Sequence, residues 1–466
     1  LSGPFDMLVR GGEVVDEAGV RPADVAIRDG RIAALLPPGE AAEARETLDA
    51  AGLHVLPGAI DIHVHVRAPA FPERGTVESE TAAAVAGGIT ALFEMPITQP
   101  CCNSGERVRA RVEHFRGRSL AHFAMIAAPG RLDDASIEAI REAGAIAFKI
   151  FTTAMPAGRE TEFSGLARPD EGEEFEALRA CARTGLPVIV HAESAQLLDH
   201  FAAATQGLDP RGAATHERMR PTLCESVAVA RLLAMNMEAG AKLHIAHVTS
   251  AATVRVLRAF RGTSDFTAET CPHYLLFTGD EDVARAGVFG RVNPPIRAAA
   301  DRAALWEAVR DGTIGFVTTD HAAFSLADKE RANGDFTSAP PGTPGLEILV
   351  PTLLDAVAVG QLSLPDLARL LSAEPARRFA LPTKGRVEPG FDADLTLVDL
   401  AGETRFPLGA MRTKARDVAH LYADRRFRGR VAATVLGGRP VYAAGELCAA
   451  PASGQYLTPD HQGAFR

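Results

Sequence analysis

The pattern of hydrophobic and polar positions changes character twice along the chain. Between residues 5 and 56, "MLVRGGEVV", "ADVAIRDGRIAALL" and "ETLDAAGLHVLPG" alternate over short runs broken by Gly and charge, as half-buried strands do. From residue 59 the apolar runs become continuous, and each is followed by a helix-like stretch: "AIDIHVHV", "ITALFEM", "AHFAMIAA", "AIAFKIF", "PVIVHAE", "KLHIAHV", "DFTAETC" and "GFVTTDH". A run without alternation is a strand covered on both faces, and eight of them in βα order predict a parallel (β/α)8 TIM barrel. After residue 375 the alternation returns in "GFDADLTLVDL" and "RVAATVLGGRPVY". Neither terminal segment has enough strands alone, so the two together are expected to form a small β-sandwich. The expected α/β organisation is an N-terminal share of the sandwich over 1–56, the barrel over 57–375, a C-terminal share of the sandwich over 376–448, and a loosely held tail over 449–466 available to a neighbouring copy.

Composition narrows the function. The chain has 466 residues, 47% of them hydrophobic, enough to bury a large core. Its formal net charge of −10 comes from scattered acids and bases, so there is no basic stripe to track a phosphate backbone and no nucleic-acid partner is expected. No membrane span is expected either, because Gly or charge interrupts every apolar run before the ~20 residues a spanning helix needs. The opening "LSGPFDMLVRGGEVV" lacks the layout of a signal peptide. The six cysteines include the adjacent Cys101 and Cys102 but no C-x-x-C spacing, which argues against a disulfide framework or a thiolate zinc site. A reducing cytoplasm is the expected compartment.

Barrel active sites form at the C-terminal ends of the strands, and the polar residues ending the apolar runs are His63, His65, Lys149, His191, His247 and Asp320. Residues two apart on a strand share a face, so His63 and His65 can share one metal. Four imidazoles and a carboxylate suit zinc or a neighbouring divalent ion. His54, His122 and His244 read as hydrogen-bonded structural histidines, the last because it lies three residues from His247 and faces the other way. Lys149 has two readings. It is an ion-paired or snorkelling lysine, or an amine deprotonated by desolvation that takes up carbon dioxide to form a carbamate between two metals.

The order His-x-His, Lys, His, His, Asp on eight strands resembles the amidohydrolase superfamily, in particular its cyclic amidohydrolase branch of dihydroorotases, allantoinases, hydantoinases and dihydropyrimidinases. The resemblance runs through "PGAIDIHVHVR", "AAAVAGGIT", "FKIF", "VIVHAES", "HIAHVTS", "ETCPHYL", "NPPIR", "TTDHA", "GLE" and "KGRVEPGFDADLTLVD". It implies two divalent ions, zinc first, with manganese and cobalt also compatible with such donors. One would be held by His63, His65, the carbamate of Lys149 and Asp320, the other by Lys149, His191 and His247. It implies hydroxide attack on a ring amide, with Asp320 as general base and then general acid. The implied substrate is a small cyclic amide or ureide, and the implied assembly a homodimer or homotetramer. Some relatives are non-catalytic assembly partners, but those lack some of the ligand set that this chain retains in full.

The signatures divide over which ring. Arg67 matches the dihydroorotase arginine that binds a substrate carboxylate, a bidentate geometry suited to guanidinium. Its alternative is a rim arginine paired with Glu73 or Glu78. Against dihydroorotase, Ile97 in "MPIT" replaces a carboxylate-binding asparagine, and "DHAAF" replaces "DHAPH". Hydantoinases carry a tyrosine five residues after the metal lysine, where this chain has Ala154, yet "DHAAFSLADKERANGDFTSAPPGTPG" reads like their corresponding segment. Allantoinases share "ETCPHYL" and the ligand spacing. The expected order is dihydroorotase, then allantoinase, then hydantoinase, with Asn293, Pro344 and Gly345 as ring-binding residues by analogy.

Overall fold

A computed structural model describes residues 4–448 and 453–460. All eight apolar runs form strands: β1 (Ala59–His65), β2 (Ile89–Glu94), β3 (His122–Ala127), β4 (Ala147–Phe151), β5 (Pro187–His191), β6 (Lys242–Ile245) and β7 (Phe266–Thr270), with the last run split into β8 (Phe316–Val317) and β9 (His321–Ala322). Every position of β1, β2, β3 and β5 is buried, the reason these runs carry no alternation. Neighbouring strands are parallel. β8 pairs with β7 and β9 pairs with β1, so the two halves of the eighth run close a (β/α)8 barrel.

The split has a local cause. Thr318 N still donates to Thr270 O of β7 at 3.0 Å, but residues 319 and 320 leave the ladder, and Asp320 takes a left-handed backbone, φ 44°. The buried Asp61 carboxylate on β1 bridges the gap, accepting from Thr319 N (3.1 Å), Thr319 Oγ1 (2.5 Å) and His63 N (3.2 Å). First and last strands are thereby joined by a side chain where backbone bonds are missing, as buried polar groups require. Several crossover helices start on a side-chain cap, with Thr76, Ser104, Asp133, Asp170, Ser194 and Ser250 each accepting from a backbone N–H of the first turn.

Both chain ends contribute to the satellite sheets. A four-stranded sheet is built from Phe5–Arg10, Asp24–Arg28, Arg31–Leu36 and Ala44–Asp49. A seven-stranded sheet places Leu395–Arg405 and Arg426–Leu436 beside His54–Pro57, Glu13–Asp16 and Gly19–Pro22. Their inward side chains, among them Met7, Val9, Val25, Val55, Leu395, Leu397 and Val435, form one apolar cluster.

The tail differs from the expectation of a loose segment over its described residues. Residues 453–460 run under the barrel beside β3: Gly454 N donates to Ser119 O (2.9 Å), Leu457 N to Phe123 O (2.8 Å) and Tyr456 Oη to Gly144 O (2.7 Å). Residues 449–452 and 461–466 lie outside the described residues. No helix among the described residues is long and apolar enough to cross a membrane.

Candidate active site

Three of the six candidate ligands meet at the barrel mouth. His63 and His65 project from one face of β1, and the left-handed turn at Asp320 brings its carboxylate to both: each Nε2 lies 3.3 Å from Asp320 Oδ1. One ligand atom from each of the three falls within 4.8 Å of the others. Two more face one another close by. His191 ends β5, His247 follows β6, and His191 Nδ1 lies 3.0 Å from His247 Nε2. The sixth, Lys149 on β4, is fully buried, and its Nζ has no hydrogen-bond partner.

The partners behind these rings decide which nitrogen carries a proton. Glu269, on β7, is buried and accepts from His63 Nδ1 at 2.5 Å and from His244 Nε2 at 3.1 Å. His63 Nδ1 is thus the donor, and Nε2 keeps its lone pair toward Asp320. Glu193 does the same for His191, accepting from Nε2 at 2.8 Å while Arg220 neutralises it through Nε (3.1 Å) and Nη2 (2.5 Å). His191 Nδ1 is left with a lone pair facing His247. Four imidazoles and a carboxylate oxygen converging in a buried space form a donor set that suits a divalent cation. His244 itself is satisfied by Glu269 and by Thr267 Oγ1 at 2.7 Å, His122 lies 3.3 Å from Asp394, and His54 lies 2.9 Å from Glu13.

Electrostatics agree with a ligand role. Burial pushes the His65 pKa down to about 3 against the pull of Asp320, and lowers those of His191 and His247. These imidazoles are therefore neutral at pH 7, the form that binds metals. Burial pushes the Asp320 carboxyl up, and a proton carried by the facing His63, His65 or His247 ring pulls it well below the usual carboxylate range. Burial brings Lys149 down to about 8, only partly offset by Glu269 and Asp320. An amine in that range is deprotonated often enough near neutral pH to act as a nucleophile.

The mouth opens into a cavity of about 710 Å³ lined by His63, His65, Arg67, His191, His247 and Asp320, with Phe151, Phe163 and Phe324 as apolar walls and Arg74, Arg159, Arg220 and Arg291 along the rim. Arg67 has φ 61°, a turn held by Glu94, which accepts from Val66 N (2.8 Å) and Arg67 N (3.1 Å) and pairs with Arg111. Arg67 is 3% exposed, and its guanidinium lies 4.7 Å from the Phe324 ring centroid and 3.7 Å from Glu162. The rim pairing with Glu73 or Glu78 is not the one seen. Nε and Nη1 have no hydrogen-bond partner, and burial, reinforced by Arg159 and Arg74, lowers the pKa to about 9.

Asn293 lines the cavity with a buried, unpartnered Oδ1. Pro344 and Gly345 do not line it. Gly345 N donates to His321 Nδ1 at 3.2 Å, and a Cβ there would lie 2.8 Å from the Thr319 side chain, so this stretch supports β9 from behind. Residues 337–342, just before it, form the wall instead. Sequence reasoning also passed over Glu193 and Glu269, although both lie inside the motifs "VIVHAES" and "ETCPHYL". The available signal was a carboxylate in an apolar strand run, which cannot be buried without partners.

Comparison with known proteins agrees. The profile of the amidohydrolase family matches residues 54–441. An allantoinase of Rubrobacter xylanophilus is 38% identical over 463 residues, covering 98% of each chain, and an L-hydantoinase of Paenarthrobacter aurescens is 31% identical, covering 97% of this chain and 98% of that one. Among solved structures, an L-hydantoinase (dihydropyrimidinase) from Arthrobacter aurescens superposes with a TM-score of 0.91 at 30% identity, over 97% of this chain and all of that one. These names correct the expected order: allantoinase and hydantoinase are supported, and dihydroorotase is not.

Glu269→Gln tests the positioning of the candidate ligands. A glutamine accepts from only one of the two imidazoles that Glu269 now serves and presents an NH2 to the other. Divalent-ion affinity is expected to fall about 10–100-fold, read by metal content after dialysis, with the circular dichroism spectrum unchanged. Wild-type retention would rule out this role.

Proposed function

The chain belongs to the amidohydrolase family and is a cyclic amidohydrolase, and from that premise we propose that it is an allantoinase, opening a hydantoin ring that bears a ureido substituent. The full-length likeness to allantoinases carries this reading. Supporting it, the cavity combines unpartnered donors on Arg67 with an unpartnered acceptor on Asn293. A ureide offers carbonyl acceptors and N–H donors to match.

In this reading His63, His65, Asp320 and a Lys149 carboxylated by carbon dioxide would hold one divalent ion, zinc first, and Lys149, His191 and His247 would hold a second. Such ions supply Lewis acidity and lower the pKa of water from 15.7 to about 7. The protein's role is positional and electrostatic. Glu269 and Glu193 fix the rings of His63 and His191 so that their lone pairs face the reacting space. Asp320, whose Oδ1 lies 3.3 Å from the Nε2 atoms of His63 and His65, accepts the proton of the attacking water and returns it to the ring nitrogen as the amide C–N bond breaks. Water oxygen ends on the carbonyl carbon, and the product is an open-chain ureido acid. Phe151, Phe163 and Phe324 limit solvent access to the ring.

A hydantoinase reading stands second, favoured by the close superposition on the L-hydantoinase structure. The two separate on substrate. With enzyme reconstituted in divalent metal and bicarbonate, kcat/KM for allantoin is expected to exceed that for 5-alkyl hydantoins and for dihydroorotate by about tenfold or more, since a site with buried polar groups rejects rings that leave them unpaired. Preference for a 5-alkyl hydantoin would establish the second reading.

Carbamate formation needs the neutral amine, and the Lys149 pKa is lowered to about 8. The rate at which apoenzyme is activated by bicarbonate and metal, normalised to dissolved carbon dioxide, should therefore rise with pH through about 8 and level off above it. A pH-independent rate would argue against carboxylation at this residue.

A further inference from the structure

Behind the cavity wall lies a cation that the metal-site chemistry does not use. Lys329, on the short helix Leu326–Glu330, is fully buried. Its Nζ donates to three backbone carbonyls: Pro340 O at 2.8 Å, Val288 O at 3.2 Å and Arg291 O at 3.3 Å. Burial and the neighbouring Arg291 work against the charged form, and the three carbonyls, acceptors at 2.8–3.3 Å with no donor of their own to offer, work for it. The three acceptors match the three N–H bonds of an ammonium, whereas a neutral amine would leave one carbonyl unserved.

Those carbonyls belong to the two segments that form one side of the cavity. Arg291, Val292 and Asn293 line it from one strand of chain, and residues 337–342 line it from the other. The two are tied directly by Gly342 N donating to Arg291 O at 2.9 Å, the same oxygen that Lys329 engages. A third wall is fixed from the same helix: Asp328 accepts from Arg74 Nε at 2.9 Å and Nη2 at 3.3 Å, and Arg74 lines the cavity. One turn of helix thus fastens three separate rim segments, and Lys329 lies at their junction.

We propose that Lys329 is a positioning residue for substrate binding: its buried ammonium holds the 288–293 and 337–342 segments at the spacing that lets their inner surfaces grip the ring. Lys329 touches no substrate and no candidate metal ligand. Its effect is therefore expected on ring affinity rather than on the bond-breaking step, and it holds for whichever cyclic amide the enzyme opens, resting on the amidohydrolase activity and not on the choice of allantoin.

The test uses the full-length, metal-loaded enzyme and the ring that the wild type opens fastest. Lys329→Met keeps the length of the side chain and leaves three carbonyls without a donor, so KM is expected to rise about tenfold or more. kcat should change less than KM, and metal content should be unchanged. Lys329→Ala opens a space ringed by carbonyls, and added methylammonium should lower its KM severalfold. Tetramethylammonium, with the same charge and no N–H, should not. Wild-type KM in the Met variant would overturn the proposal, as would a fall in kcat at unchanged KM. Equal rescue by both ammonium ions, or a loss of activity that only tracks the folded fraction without rescue by methylammonium, would also overturn it.

Discussion

The burial of charge at the mouth of the barrel is the constraint on which the rest of the site depends. Lys149 is enclosed with its Nζ bonded to nothing, close enough to Glu269 and Asp320 for both to raise its pKa and still held down to about 8. A buried unpaired ammonium is costly, and that cost shifts the balance toward the neutral amine, which becomes a substantial fraction near a pKa of about 8. The same burial keeps His65, His191 and His247 unprotonated. One physical cause, the exclusion of water, therefore both keeps these imidazoles neutral and lowers the pKa of the lysine beside them.

Such a site holds its shape only if the groups behind it are themselves satisfied. Glu269 and Glu193 each take the outer nitrogen of a candidate ligand, Asp61 joins β1 to the broken eighth strand, and Glu94 fixes the turn that carries Arg67. These carboxylates tie the barrel's closure to the site's geometry. Where β8 gives way to β9, Asp61 takes the place of ladder bonds at Thr319, and the gap is where Asp320 turns toward His63 and His65. The wall formed by residues 291–293 and 337–342 is organised differently, by a lysine that binds carbonyls instead of carboxylates.

The barrel was legible because both faces of each strand are covered, which removes alternation from eight runs in succession. The six candidate ligands were picked out because they are the polar residues in or just after those runs, and the structure groups five of them at the barrel mouth, His63 and His65 with Asp320 and His191 with His247. Other features depend on contacts between residues far apart in sequence. Glu269 acts on His63 across 206 positions and Thr319 on Asp61 across 258, and no local pattern announces either. Gly345 and Asn293 show the limit of motif analogy: Asn293 lines the cavity and Gly345 packs behind a strand, though both came from equally short matches. The partner of Arg67 was misread because Glu73 and Glu78 are near in sequence, whereas its positive-φ turn aims the guanidinium toward Glu162. The described stretch of the tail was misread because its polar composition hides backbone hydrogen bonds to the β3 segment.

The central claim is that a carboxylated Lys149 joins two divalent ions. Its most direct test is a crystal structure of enzyme grown with bicarbonate, with anomalous diffraction collected at the metal edge. The account predicts two anomalous peaks, one among His63, His65 and Asp320 and one between His191 and His247, with planar density extending from Lys149 Nζ to both. A single peak, or a bare Nζ paired with Glu269, would contradict it.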